Sequence, residues 1–301
     1  MWKGSRRDFL QTGTALAAVT GLGLAAVAAE QEPWQVGCFT RPWAKFDYHK
    51  AMDAIAEAGF SNIGLMSTTG KSELVLSVNS TVDDAVRVGE EAKSRKLGIL
   101  SVWGGEFRLN QGNTEQERRT AAAASLRHLI DVVAAAGSKT LLLGGANKPA
   151  QSDIYFGAVA DCCQYAADKK LGLTIKPHNG TTTSRQLRKV IEKIGHKNLT
   201  IWYDAGNVFF YSDGKLDPLD DAPAADGLVT GWCIKDYRHP KQVDVTPGTG
   251  QVDFPAVFSR LKKGGFTSGS LVVETLSAVE PSQLVAEAKK ARLFVENLLR
   301  G

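Results

Sequence analysis

Cysteine is scarce in this chain. Cys38, Cys162, Cys163 and Cys233 are the only four in 301 residues, too few for a disulfide scaffold, and they show none of the spacings of a structural zinc site. Cys162 and Cys163 are adjacent within a helical pattern, where their side chains diverge, so buried thiols are the expectation. Surplus charge is missing too. The formal net charge is +4, and setting aside the first 28 residues, with Lys3, Arg6, Arg7 and Asp8, leaves +2. Such a chain lacks the basic footprint of a nucleic-acid binder. Beyond its N-terminal segment, no run approaches the ~18 apolar residues that a membrane span requires. Gly248-Thr249-Gly250 has neither a following Lys-Ser/Thr nor the strand context of a nucleotide fingerprint, and reads as a turn. No Gly-rich phosphate loop follows the last strands, which argues against phosphorylated substrates.

What is present begins with an address. Ser5-Arg6-Arg7-Asp8-Phe9-Leu10 precedes a weakly apolar stretch rich in Ala, Gly and Thr, and Ala26-Val27-Ala28 offers a cleavage pattern. Residues 1–28 therefore read as a twin-arginine export signal, with an ordinary secretory signal or an uncleaved anchor as the alternative. The expectation is a periplasmic or otherwise exported protein with no stable membrane insertion after cleavage. Its oligomeric state is not written in the sequence.

The rest repeats one pattern: a short apolar run, a polar loop, an amphipathic helix. Strands are expected at 35–39, 62–66, 98–103, 140–143, 173–176, 200–204, 231–235 and 270–274. Between them, Asp47 caps a helix that stops at Gly59, and Thr114-Glu115-Gln116-Glu117 is a capping box. Asp253 with Pro255 opens another helix, and Pro281 falls at the start of the last one. Eight strand–helix units without a composition shift predict one α/β domain, a (β/α)8 TIM barrel over 34–299. A doubly wound sheet is the alternative, but Phe39-Thr40-Arg41-Pro42-Trp43 is no Gly-rich turn.

Chemistry collects at the ends of the last four strands: Lys176-Pro177-His178, Asp204-Ala205-Gly206-Asn207, Lys235-Asp236-Tyr237 and Glu274-Thr275. A barrel brings those ends to one rim, where active sites sit. Asp204, His178 and Glu274 form the expected ligand set for a divalent cation, Mn, Mg, Co or Zn. The alternative is that Asp204 caps the next helix and Glu274 pairs with Lys176. Glu274, Lys176 and His178 are the expected catalytic groups, and Asp236 is placed to hold Lys235. Trp103, Glu106, Lys235, Asn207 and His239 are expected to touch substrate; flat aromatic faces such as Trp103 suit the C–H surfaces of sugar rings. His49 and His128 fall on helical patterns and are read as solvated faces, and His196 lies at a helix end, where a cation is favoured.

In these residues the chain resembles the xylose-isomerase-like TIM-barrel family of sugar isomerases and epimerases. The resemblance runs through Ala56-Glu57-Ala58-Gly59-Phe60, the Asp204 turn, Ile234-Lys235-Asp236-Tyr237, Pro247-Gly248-Thr249-Gly250, Val252-Asp253-Phe254, Gly264-Gly265-Phe266 and Val273-Glu274. It implies a small carbohydrate substrate and one divalent cation held by Glu, Asp, His and Glu after strands five to eight. Asp204 and Glu274 match that set. Lys176 stands where the first Glu is expected and Cys233 where the His is expected, so an exchange between two glutamates is not available. The resemblance implies a metal-assisted isomerase, epimerase or enolate-type lyase, with Glu106 or water completing the metal shell. A catalytically silent carbohydrate-binding barrel is the alternative, and a nuclease of the endonuclease IV type is disfavoured by the five histidines.

Overall fold

The computed structural model describes residues 33–68, 73–105, 107–277 and 279–301. The export signal expected at 1–28 and Glu106 lie outside the described residues. Eight parallel strands close into a barrel: β1 (Trp34–Phe39), β2 (Asn62–Leu65), β5 (Gly98–Trp103), β6 (Thr140–Leu143), β7 (Gly172–Ile175), β8 (Leu199–Tyr203), β9 (Val229–Ile234) and β10 (Gly269–Val273). They pair in chain order, and β1 completes the ring by pairing with both β10 and β2. Two further strands, β3 (Ser67–Thr68) and β4 (Glu73–Leu74), form a small antiparallel pair apart from the barrel.

Helices α1 (Tyr48–Glu57), α2 (Val82–Ser94), α3 (Glu115–Ala135), α4 (Ser152–Asp168), α5 (Ser184–Ile194), α6 (Ala205–Tyr211), α7 (Pro218–Asp221), α8 (Phe254–Lys263) and α9 (Leu284–Arg300) lie between and after the strands. Their starts follow local chemistry. The Asp47 side chain accepts from the His49 N–H to open α1, Asp253 accepts from the Ala256 N–H to open α8, and both halves of the Thr114/Glu117 capping box are made at α3. Each such cap stabilises its helix by about 1 kcal/mol.

The core has two parts. Phe39, Met66, Leu100, Leu142, Trp202, Cys233 and Val272 pack together as one buried cluster, with Trp103 against it. The larger apolar cluster runs between the outer faces of the strands and the helices. Filling a small barrel with bulky side chains demands room elsewhere, and a Cβ on Gly231 would sit 2.4 Å from the Trp202 ring. All four cysteines are buried free thiols; Cys162 donates to the Ala123 carbonyl, whereas Cys163 turns to Val159 within its own helix. No helix of the described residues is long and apolar enough to cross a membrane.

Candidate active site at the barrel mouth

Five strand ends supply the site. Arg41 follows β1, Lys176 follows β7, Asp204 follows β8, Lys235 follows β9 and Glu274 follows β10. Asp204 leaves the sheet with extended backbone and becomes the N-cap of α6, where its side chain accepts from the Asn207 N–H at 2.9 Å. Gly206 is required beside it: a Cβ there would meet the Lys235 carbonyl oxygen at 2.8 Å and its Cγ at 2.7 Å.

These side chains form one buried ionic cluster. The Lys176 ammonium lies 2.5 Å from one Glu274 oxygen and 3.2 Å from Asp204. The Lys235 ammonium lies 2.5 Å from the other Glu274 oxygen and 3.5 Å from Asp204. Arg41 donates to Glu274 at 2.7 Å and reaches toward Asp244 at 3.8 Å. Lys176, Lys235, Asp204 and Glu274 are each no more than 2% exposed. Both limbs of the alternative reading are therefore present: Asp204 caps the next helix, and Glu274 pairs with Lys176.

The environment sorts the charges. Burial alone would raise the Glu274 carboxyl, but Lys176, Lys235 and Arg41 outweigh it and hold it well below the usual range, so Glu274 is ionised. Burial raises the Asp204 carboxyl against the pull of Lys235 and Lys176. Burial would lower Lys176, yet the adjacent Cys233 sulfur, Glu274 and Asp204 raise it overall. Lys235 is lowered, chiefly by burial, despite Asp204 and Glu274.

His178, expected as a ligand, lies outside the group of donors close enough to share an ion. Burial, reinforced by Lys176 and Lys235, pushes its imidazole down to about 3, so it is neutral near pH 7. Its ring packs 5.2 Å from Trp103 and 5.5 Å from Tyr211, and its buried Nδ1 has no hydrogen-bond partner. Trp103 also lies under the Lys176 ammonium at 5.1 Å. The Asn207 amide is engaged at both ends, donating to the Pro177 carbonyl at 2.7 Å and accepting from Lys235 at 3.0 Å. His239 is exposed in the loop after β9, outside the cluster. Asp236 does not hold Lys235. Its carboxylate accepts from the backbone N–H groups of Tyr237, Gly248, Gly250 and Val252, at 2.8, 3.0, 2.7 and 3.1 Å.

Arg41 is the member that sequence reasoning passed over. Its signal was its place just beyond β1, matching the other four strand ends. It also lines a cleft of about 510 Å³ shared with Phe46, Asp244, Thr275, Ser277 and Leu284. The buried Thr275 hydroxyl, next to Glu274, has no partner.

A divalent cation does not fit these residues as they stand. Among the described residues, the donors grouped closely enough to share an ion are those of Asp204, Cys233 and Glu274, mutually within 4.8 Å, without His178. Two ammonium groups already occupy their carboxylates. A doubly charged ion ~4 Å from each lysine would meet a repulsion of about 8 kcal/mol per ammonium at an effective dielectric of about 20. The expected Asp204–His178–Glu274 ligand set is replaced here by carboxylates neutralised by the chain's own cations.

An eight-stranded parallel barrel with a buried polar cluster at the C-terminal ends of its strands has the architecture of a TIM-barrel enzyme. The chain belongs to the xylose isomerase-like TIM barrel family, whose model matches residues 52–297. No curated protein sequence matches it. Among solved structures, a D-psicose 3-epimerase studied in the presence of D-fructose is 13% identical, with a TM-score of 0.69 over 89% of this chain and 100% of that one. An L-ribulose 3-epimerase is 16% identical, with a TM-score of 0.64 over 88% and 94%. A 3-keto-D-glucoside 4-epimerase from E. coli is 14% identical, with a TM-score of 0.63 over 88% and 99%. At these identities the likeness is one of fold.

Proposed function

We propose that the protein is an exported isomerase or epimerase, or a related enolate-type lyase, acting on a sugar or sugar derivative at the mouth of the barrel. The observation that carries the reading is the buried Lys176–Glu274–Lys235–Asp204 cluster beside an unpartnered His178 Nδ1. Removing a proton from the carbon next to a carbonyl leaves an enolate oxygen that must be stabilised. A dry, preorganised ammonium group supplies such stabilisation, and Lys176 and Lys235 are the groups assigned to it. Glu274 is the assigned proton acceptor. It is a weak base while three cations hold it, and it gains proton affinity as the forming oxyanion draws a lysine away. Neutral His178 is assigned a substrate hydroxyl through Nδ1, and the faces of Trp103 and Tyr211 the apolar side of the sugar.

The epimerases of D-psicose, L-ribulose and 3-keto-D-glucoside among the structural neighbours support a ketose or keto-sugar as substrate class. The second reading, a silent carbohydrate-binding barrel, is favoured by one observation: every charge in the cluster already has a partner. The two separate in heavy water. The protein is incubated with ketohexoses and 3-keto-glycosides in D2O, with and without chelator, and deuterium at the carbon beside the carbonyl is followed by NMR. Deuterium uptake with an epimer or elimination product supports the enzyme. Binding without exchange across the panel leaves the silent barrel and removes the enzymatic reading.

A further inference from the structure

Asp204, Cys233 and Glu274 come from three consecutive strands of the barrel, β8, β9 and β10. Their donor atoms lie mutually within 4.8 Å, close to the spread of ligands around one small ion. The Lys176 nitrogen is 2.5 Å from Glu274, 3.2 Å from Asp204 and 3.8 Å from the Cys233 sulfur. It therefore stands at the point that those three donors share.

We propose that Lys176 is the permanent cation of a divalent-ion site: its ammonium takes the ion's place among Asp204, Cys233 and Glu274 and closes that site to free metal. Charge supports the exchange. An ammonium beside a neutral thiol carries the same net charge, +1, as a divalent ion beside a thiolate. An uncharged side chain at 176 would thus open a three-donor site that a metal fills with the same net charge facing Lys235 and Arg41, the Cys233 thiolate offsetting the ion's second charge. On binding, the ion forms bonds to the Cys233 sulfur and to one oxygen each of Asp204 and Glu274, and the thiol proton leaves to solvent. A thiolate ligand selects Zn2+ or Co2+ over Mg2+ or Ca2+. This inference rests on the geometry of the cluster and is independent of the sugar reaction proposed above.

Cobalt is the probe, because a thiolate–Co2+ bond gives a near-ultraviolet charge-transfer band that carboxylate ligation does not. Wild type, Lys176→Met and Lys176→Met/Cys233→Ser are titrated with Co2+ by absorbance and calorimetry. The expected result is no band and no bound equivalent in wild type, a single equivalent with the band in Lys176→Met, and loss of the band in the double variant. If Lys176→Met folds poorly, Lys176→Ala is read the same way, with circular dichroism following refolding on addition of Co2+. A thiolate band in wild type overturns the proposal, since Lys176 would then exclude nothing. Failure of both Lys176 variants to take up Co2+ overturns it equally.

Discussion

Glu274→Gln should destabilise the protein severely, even though the two side chains have the same shape. In the native cluster one carboxylate receives Lys176 at 2.5 Å, Lys235 at 2.5 Å and Arg41 at 2.7 Å. The amide keeps a single acceptor oxygen and turns an NH2 group toward whichever cation faced the other. Lys176 and Lys235 are then left with Asp204 as their one ion-pair partner, and Arg41 with only the longer contact to Asp244. Breaking a buried ion pair by removing one partner costs about 3–5 kcal/mol. At roughly 2–4 °C per kcal/mol for a domain near this size, the melting temperature should fall by about 6–20 °C. Lys176→Met should cost less, because it leaves two cations facing two carboxylates. The deficit should also depend on pH. Burial already lowers Lys235 in the folded protein, and losing Glu274 lowers it further. Between that depressed value and its unfolded value near 10.4 the unfolded chain binds more protons, so the stability of the variant rises with pH. Thermal melts and urea titrations at pH 7 and 9.5 provide the assay, and the gap to wild type should narrow at the higher pH. A Glu274→Gln protein that melts within about 2 °C of wild type at pH 7 would falsify the argument, because the cluster would then not hold its charges in a dry setting.

Three further outcomes follow from the same geometry. His178 is neutral when folded down to a pH of about 3 but protonates near 6.5 when unfolded. Between those values acidification should remove about 1.4 kcal/mol of stability per pH unit in wild type and not in His178→Gln; parallel stability curves from pH 6 to 4 would refute this. Asp236→Asn should release the segment around Gly248 to Val252 by weakening the two bonds that one carboxylate oxygen accepts from Gly248 and Gly250. A loss of about 3 kcal/mol is expected, with faster amide exchange at those residues, and unchanged protection there would count against the clamp. Gly206→Ala should push Lys235 out of register, because the new Cβ meets its Cγ and carbonyl oxygen at once. Activity and melting temperature should both fall, and a Gly206→Ala protein with the activity and melting temperature of wild type would show that Lys235 does not need its present position.

The architecture was legible because each barrel strand is an apolar run bounded by turn chemistry. The last four expected strands each ran one residue too far, at Lys176, Asp204, Lys235 and Glu274. Those residues lie just past the paired strands, although the N–H groups of Lys176 and Glu274 still donate to the Leu143 and Ile234 carbonyls of the neighbouring strands. The β3–β4 pair was missed because two-residue strands carry no period. Convergence of Lys176, Asp204, Lys235 and Glu274 was foreseeable from parallel topology, and the Lys176–Glu274 pair was the alternative reading of the sequence; the bonds of Lys235 and Arg41 to the same carboxylate were not, because nothing local in sequence links strand ends so far apart. Lys235 and Asp236 look like a pair in sequence. Successive side chains leaving a strand point to opposite sides, so one enters the mouth and the other turns to the 248–252 segment. Arg41 escaped notice because attention to the last four strands left out β1, which closure makes the neighbour of β10.

The bonds from Pro177 to Asn207, from Asn207 to Lys235, from Lys235 to Glu274 and from Glu274 to Arg41 form an unbroken belt across five neighbouring strand ends. Such a belt couples five of the eight strand ends mechanically: loosening a link at Lys235, Glu274 or Arg41 leaves an uncompensated charge, so those strand ends yield together or not at all. Among the described residues, the loops that follow β2, β5 and β6 carry no link of it. Loop length and composition can therefore drift on that side, while the belted side stays fixed by its own electrostatics.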